Sequence, residues 1–250
     1  MDSGFYQTIF KRKSFHLFRN VGDEKLSEAE LKGIETAWAG FEALYPDIRT
    51  AIRIVPSARV SVKRDSEYSI LIYSENKPNY LMNAGYLGEQ LDLYLVRNNI
   101  GTLWFGLGKA DDKSYDGLDY VIMLAVHKVS DESLYRKDMF KAKRKPLESI
   151  WAGDTLGIAE TARFAPSACN SQPWKVRNED GVLTVSRDTR EARIGIMPPK
   201  MAKYFNRIDI GIFLCILEIC MAEKGVAAER TLLPDETDFG DSPVAEYRLK

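Results

Sequence analysis

The sequence predicts an α+β fold, and two observations lead to this fold class. Stretches in which apolar residues recur at helical spacing alternate along the chain with short apolar or alternating stretches typical of strands. The order of these stretches is also similar in the two halves of the chain. With 250 residues, 45% of them hydrophobic and 28% charged, the chain can bury a sizeable core.

The first half contains two predicted helices and three predicted strands. The first helix begins at Ser27, where Glu30 occupies the capping-box position, and extends to about Leu44 before Pro46. The pattern further predicts strands at residues 59–63 and 69–73, a helix at 83–98, and a strand buried on both faces at 119–126.

The second half repeats this order. It contains a predicted helix from Asp154 to Phe164, a strand at 182–185, a long apolar helix at 203–224, and strands at 226–233 and 244–249. Asn83-Ala84-Gly85 corresponds to Asp209-Ile210-Gly211, and Arg12-Lys13-Ser14-Phe15 corresponds to Arg144-Lys145-Pro146-Leu147. Two halves of about 125 residues suggest duplication, and the alternative is a chance similarity between amphipathic helices.

The charge balance and the apolar pattern exclude several classes of partner. The 35 basic and 36 acidic residues give a net charge of −1, which attracts neither nucleic acid nor an anionic membrane. The most apolar stretch, 208–221, is shorter than the ~20 residues that span a bilayer. The N-terminus does not resemble a signal peptide. We therefore expect a cytoplasmic protein; a nucleic-acid-binding role for the basic run 136–145 is the poorer alternative.

The residues that usually carry chemistry are few. Three cysteines form no disulfide framework, and Cys215 and Cys220 are interpreted as buried apolar residues. Two histidines provide no metal-ligand spacing, and the nucleophile-elbow and phosphate-loop motifs are absent. We predict no metal and no catalytic side chain. If the protein is an enzyme, a bound cofactor supplies the chemistry.

The segment from Ala165 to Trp174 resembles the nitroreductase family. It reads A-P-S-A-C-N-S-Q-P-W and matches the family pattern A-P-S-x-x-N-x-Q-P-W. Pro166 would end the preceding helix, and Trp174 would anchor the turn in the core. Three further segments are similar to family motifs: 11–18, 99–106 and 143–148.

The motifs are distributed unequally between the halves. The stretch 40–55 of the first half corresponds to the 165–174 segment but lacks its motif. Conversely, the first half has G-T-x-W-x-G at 101–106, and residues 227–230 at the corresponding place in the second half do not match it. This resembles a single-chain branch of the family in which one chain imitates a dimer. The resemblance implies a nitroreductase-like fold of two tandem half-copies, 1–147 and 148–250, each with helices on an antiparallel-type sheet, forming an intrachain pseudo-dimer. A monomer should then bind the cofactor, and further oligomerisation stays open.

The resemblance implies FMN as cofactor, with the chemistry at flavin N5. The first half would supply the phosphate and N5 side, and the second half would supply the pyrimidine edge. The implied contacts are, for the phosphate and ribityl chain, Arg12, Lys13, Ser14 and one or more of Lys143, Arg144 and Lys145; near N5, Trp104, Phe105, Gly106 and Leu107; and at the pyrimidine edge, Pro166, Ser167, Ala168 and Asn170.

The implied reaction is a ping-pong transfer in which NADH or NADPH reduces the flavin, which then reduces a small acceptor such as a nitroaromatic compound or a quinone. Two alternatives stay open. The same fold could serve another flavin reaction, such as dehalogenation or ring dehydrogenation. The chain could also be a non-catalytic flavin carrier or sensor.

Overall fold

The structure is a computed structural model that describes residues 4–61, 64–188, 199–235 and 241–250. It divides into two compact units, Met1–Met139 and Phe140–Lys250. Residues 140–147, which the sequence analysis assigned to the first half, belong to the second unit.

The first unit is an antiparallel sheet packed with helices. Its sheet has the strand order β1-β2-β5-β3, and the short β4 pairs with β5. The elements are α1 (Phe5–Lys11), α2 (Glu28–Gly40), β1 (Thr50–Pro56), β2 (Tyr68–Ser74), α3 (Tyr80–Arg97), β3 (Ile100–Phe105), β4 (Ser114–Tyr115) and β5 (Leu118–Lys128).

Helix α3 is the central helix of the first unit. Every residue from Leu81 to Val96 except Tyr94 is buried, because α1, α2 and the sheet all pack against this helix. A helix surrounded in this way must also bury its polar residues, and Asn83, Glu89 and Asp92 are among them. These buried polar groups need partners inside the unit.

The second unit has the same class of architecture. Its sheet has the order β6-β7-β8-β10-β9 and is antiparallel except where β6 pairs with β7. The elements are α4 (Leu147–Ile150), β6 (Trp151–Ala152), α5 (Ala159–Ala162), β7 (Trp174–Glu179), β8 (Val182–Asp188), α6 (Pro199–Glu223), β9 (Ala228–Leu232) and β10 (Asp241–Leu249).

The two sheets share one connectivity. In the first unit a hairpin (β1-β2) is followed by the long helix α3, an edge strand (β3) and a strand that returns between them (β5). In the second unit β7, β8, α6, β9 and β10 follow in the same order and take the same places. This shared connectivity is consistent with duplication.

Most predicted elements are confirmed. Ser27 accepts a hydrogen bond from the Glu30 N–H, and Glu30 closes the predicted capping box. The strands at 69–73, 119–126, 182–185 and 244–249 and the helices at 83–98 and 203–224 lie within or coincide closely with the observed elements.

Two predicted elements are wrong. Ser57–Arg59 is a 3-10 turn, and the strand that pairs with β2 is Thr50–Pro56, where β-branched residues suit a sheet; residues 62–63 lie outside the described residues. The helix predicted from Asp154 is a turn at its start, because Leu156 and Gly157 have φ values of 53° and 65°. Asp154 Oδ1 accepts the Leu156 N–H there, and only Ala159–Ala162 is helical.

Candidate functional site

The segment that follows α1 lies along β3. Ser14 forms a parallel bridge with Thr102, and the Phe15 N–H donates to the Thr102 carbonyl at 2.9 Å. The motif at residues 12–14 (R-K-S) and the motif at residues 101–106 (G-T-x-W-x-G) are therefore neighbours in the first unit. Sequence reasoning placed both at one flavin, and the structure shows that both are built on one edge of the sheet.

Asp92 of α3 connects these two motifs. Its buried carboxylate accepts hydrogen bonds from Arg12 Nε at 2.9 Å, Thr102 Oγ1 at 2.5 Å and Trp104 Nε1 at 2.8 Å. Arg12 is only 5% exposed, and its Nη1 donates to Ser14 Oγ at 3.3 Å. Burial alone would lower the pKa of Arg12, but Asp92 and Glu89 raise it, so the guanidinium stays charged.

Glu89 lies one helical turn before Asp92. It is fully buried, and neither carboxyl oxygen has a hydrogen-bond partner in the part of the chain that the structure describes. Burial, and secondly the charge of Asp92, hold the pKa of Glu89 well above its usual range, although Arg12 offsets part of the effect. Burial therefore favours the protonated form of the Glu89 carboxyl.

The turn after β3 exposes backbone donors. Phe105 is buried, whereas Gly106 and Leu107 are exposed, and 65% of Leu107 is accessible. Trp104 packs across α3 at Gly88, where a Cβ atom would collide with the indole ring. Within the described residues, the N–H groups of Gly106 and Leu107 donate no hydrogen bond. They are free to meet a ligand.

The 165–174 loop of the second unit is held by Asp209 of α6. Asp209 Oδ1 accepts the Ala168 N–H at 2.9 Å, and Oδ2 accepts the Ser171 hydroxyl at 3.2 Å. Ser167 Oγ accepts the Gln172 N–H at 2.9 Å. Trp174, fully buried, stacks on Phe213 of the same helix with a centroid distance of 4.7 Å, so the predicted anchoring role of Trp174 is confirmed.

These contacts stabilise a strained loop. Cys169, Asn170 and Gln172 have φ values of 51°, 57° and 48°, in the left-handed region. Burial raises the pKa of Asp209 to about 7, although the hydrogen bonds from Ala168 and Ser171 lower it in part. A buried Asp is unusual on an apolar helix such as α6, and the hydrogen bonds of Asp209 to the loop explain its position.

The basic segment, residues 143–145, lies against the same loop. Arg144 Nη1 donates to Asn170 Oδ1 at 3.2 Å, and its Nη2 donates to the Phe164 carbonyl at 3.0 Å. The backbone N–H of Lys145 donates to Gln172 Oε1 at 2.8 Å, and its Nζ donates to the Gln172 carbonyl at 3.2 Å. Two motifs recognised separately in the sequence thus form one local structure.

Arg163 joins this basic group. Its guanidinium lies 5.0 Å from the centre of the Phe164 ring, and that of Arg144 lies 5.5 Å from it. Arg163 Nη1 donates to the Lys145 carbonyl, while its Nε is buried and has no hydrogen-bond partner among the described residues. Among the residues that the structure describes, no carboxylate pairs with Lys13, Lys143 or Arg163.

Sequence reasoning missed Glu89, Asp92, Arg163 and Asp209. Polar residues at 89 and 92 are indistinguishable from a solvent-facing helix surface until the surrounding elements are known. Asp209 did give a signal, because it interrupts the most apolar stretch of the chain. A charged residue there indicates a buried polar partner.

Three other expectations concern cysteines, metals and membranes. Cys215 and Cys220 are buried, as predicted, and Cys169 is exposed. The described residues hold no group of three His, Cys, Asp or Glu side chains suited to a metal ion. No helix within the described ranges is long and apolar enough to cross a membrane.

The fold is similar to that of a known structure over nearly the whole chain. A crystal structure from Thermotoga maritima, described as a "putative nitroreductase", is 19% identical with a TM-score of 0.64, and the match covers 98% of this chain and 93% of that one. A nitroreductase family protein from Clostridium difficile is 14% identical with a TM-score of 0.46, covering 60% of this chain and 96% of its own.

A "putative nitroreductase" from Desulfovibrio desulfuricans, crystallised with FMN, is 15% identical with a TM-score of 0.42, covering 60% of this chain and 95% of its own. No curated protein matches the chain. The family described as "Putative TM nitroreductase" matches residues 4–221. This match extends over most of both units, and the chain belongs to that nitroreductase family.

Proposed function

We propose that the protein is an FMN-dependent oxidoreductase that uses NADH or NADPH to reduce a small acceptor, such as a nitroaromatic compound or a quinone. The observation that carries the proposal is the 165–174 loop. Its motif residues are held in a fixed, strained conformation by Asp209 and lie against the basic segment. A conformation maintained at such cost is typical of a ligand-binding loop.

Several cations are candidates for contact with the FMN phosphate. A phosphate dianion requires convergent cations, and an Arg side chain can bind it through two parallel hydrogen bonds. Lys13, Lys143 and Arg163 are cationic groups without a carboxylate partner in the described parts of the chain. We propose Lys143, Arg144, Lys145 and Arg163, which lie together in the second unit, as phosphate contacts, and Lys13 of the first unit as a further candidate cation.

Arg12 is assigned a different role from the one that the motif implied. Its guanidinium binds Asp92 and Ser14 inside the first unit and has little accessible surface. Asp92 occupies Nε and Nη2, and Nη1 donates to Ser14, so little of the guanidinium is left to contact a phosphate. We therefore propose that Arg12 positions Ser14 and, through Asp92, Trp104, while Lys13 is the cation of this motif that contacts phosphate.

The remaining proposed contacts involve polar groups near the ring. FMN, when bound, supplies the hydride chemistry at N5, which no side chain of this protein needs to provide. The exposed N–H groups of Gly106 and Leu107 can donate to the ring edge and stabilise charge that develops there. Ser167, Ala168 and Asn170 are partly exposed and can meet the pyrimidine edge, next to the buried Pro166.

The proposal is tested with purified protein. Its absorption spectrum should show bound flavin, and it should oxidise NADH or NADPH when a quinone or nitroaromatic acceptor is added. Asn170→Ala should weaken FMN binding by about tenfold or more, because it removes a polar group from the ring edge together with its hydrogen bonds to Arg144, Gln172 and the Lys143 carbonyl. Asn178→Ala, which removes only a hydrogen bond to the Asp154 carbonyl, is the control for an Asn remote from the loop and should change neither property.

Bound flavin without turnover would favour the carrier or sensor alternative. Protein that neither contains nor binds FMN would contradict the proposal.

A further inference from the structure

In each unit one loop connects a helix to the sheet, between α2 and β1 in the first unit and between α5 and β7 in the second, and each loop contains a turn closed by one backbone hydrogen bond. In the second unit the Ser171 N–H donates to the Ala168 carbonyl at 3.0 Å. In the first unit the Ile48 N–H donates to the Tyr45 carbonyl at 3.1 Å. Each turn leads into the first strand of its hairpin, β7 and β1 respectively. Ala168 therefore corresponds to Tyr45, and Ser171 to Ile48.

The two turns are also held in the same way. Asp209 of α6 accepts the Ala168 N–H at 2.9 Å, and Asn83 of α3 accepts the Tyr45 N–H at 2.9 Å. Both acceptors are buried, and each is followed by a small or apolar residue and a glycine on the equivalent long helix. A side-chain oxygen that holds this turn is therefore common to both units.

The two anchors differ in chemistry. Asp209 uses both carboxylate oxygens, because Ser171 donates its hydroxyl to Oδ2. Asn83 uses only its carbonyl oxygen, and its Nδ2 is buried without a partner within the described residues. Ile48 replaces Ser171 and cannot donate. The anchor with two bonds is found in the unit whose loop carries the Pro-Ser-x-x-Asn-x-Gln-Pro-Trp residues.

We infer that Asp209 is a positioning residue for flavin binding: through its bonds to Ala168 and Ser171 it holds the 165–174 loop in the conformation that presents Ser167, Ala168 and Asn170 to FMN. This inference rests on the proposed function. The left-handed backbone at Cys169 and Asn170 gives the reason that an anchor is required, since a released loop relaxes away from these angles.

The test measures amide hydrogen exchange in the protein without flavin, and FMN affinity, for three variants. Asp209→Ala removes both acceptors, so exchange in a peptide covering 165–174 and the FMN dissociation constant should each rise by about tenfold or more. Asp209→Asn keeps an acceptor for the Ala168 N–H and should restore most of both properties. Ser171→Ala removes one bond and should give an intermediate result.

Asn83→Ala is the matched control, because it removes the equivalent bond in the first unit. It should accelerate exchange around Tyr45 and leave both exchange at 165–174 and FMN affinity unchanged. If Asp209→Ala does not fold, Asp209→Asn and Ser171→Ala decide the question. A Ser171→Ala protein with wild-type exchange and wild-type FMN affinity would then overturn the inference.

Two further results would overturn it. One is an Asp209→Ala protein whose loop exchange or FMN affinity equals that of the wild type. The other is an equal loss of FMN affinity in Asn83→Ala, since the effect would then follow general stability. A wild-type protein that does not bind FMN would refute the proposed function, and the exchange measurements would still show whether Asp209 holds the loop.

Discussion

Asp92 shows how a single buried carboxylate can organise a motif. It lies on α3, yet its hydrogen bonds go to Arg12, Thr102 and Trp104, which belong to two other segments of the first unit. Arg12 is the cation that pairs with this carboxylate, and burial raises the pKa of the neighbouring Glu89. The local charge is therefore compensated only as long as Arg12 is present.

Replacing Arg12 with Ala should lower the unfolding free energy of the protein and leave its preference for FMN over riboflavin unchanged. The change leaves the Asp92 carboxylate buried without its counter-charge, which costs about 3–5 kcal/mol of unfolding free energy. FMN and riboflavin, which lacks the phosphate, should then lose affinity to the same extent. Urea unfolding and titration with both ligands measure these effects.

Lys13→Ala is the comparison for this prediction. Lys13 donates to the Leu134 carbonyl and lies 4.9 Å from the centre of the Phe15 ring, so its removal should cost about 1 kcal/mol, well below the cost of removing Arg12. It should weaken FMN more than riboflavin. A stable Arg12→Ala protein with a loss confined to FMN would instead identify Arg12 as a phosphate ligand.

The structural elements show which parts of the fold can be predicted from local sequence. The Ser27 capping box, the buried strand β5 and the helix α3 depend on short-range patterns, and all three are confirmed. The 154–164 helix was wrong because Asp154 bonds Leu156 and starts a turn, a competition that apolar spacing does not reveal. Local hydrogen bonding overrides periodicity there.

The candidate site was only partly predictable for a related reason. The motif residues were recognisable by resemblance, including the loop and the basic segment that the structure brings together. The groups that hold them, Asp92 and Asp209, come from long helices distant in sequence. Their roles depend on tertiary contacts, which apolar periodicity does not specify.

The burial of Asp209 beneath the 165–174 loop should make stability depend on pH. The pKa of Asp209 is about 7 in the folded protein and about 3.9 in an unfolded chain. The folded state therefore holds a proton that the unfolded state releases above pH 4. The stabilisation that this bound proton gives the folded state is fully present below about pH 4 and is lost as the pH rises to about 7.

The measurement compares wild type with Asp209→Asn, which cannot titrate. Between pH 5 and pH 8 the unfolding free energy of the wild type should fall by about 3 kcal/mol relative to the variant, at 1.36 kcal/mol for each pKa unit crossed. Glu89 has a raised pKa of the same sign but is present in both proteins, so its effect cancels. A difference that is constant with pH would mean that the Asp209 carboxyl has an ordinary pKa.

At the scale of the whole molecule, the two units share a connectivity but differ in the side chains that could meet a flavin. The loop of the second unit carries Ser167, Asn170 and Gln172, whereas the loop of the first unit has Leu44, Asp47 and Arg49 at the corresponding places. The G-T-x-W-x-G segment, in turn, occurs only after α3. Each motif therefore occurs once in the chain.

We accordingly expect one FMN per chain, and we expect a monomer to retain it. Flavin released by denaturation should equal the protein in molar amount, and light scattering coupled to size exclusion should find flavin absorbance in the monomer peak. The full motif set lies in one polypeptide, so affinity should not depend on protein concentration. Two flavins per chain would mean that the first-unit loop also binds. Flavin loss on dilution, in step with dissociation of an oligomer, would mean that a second chain completes the site.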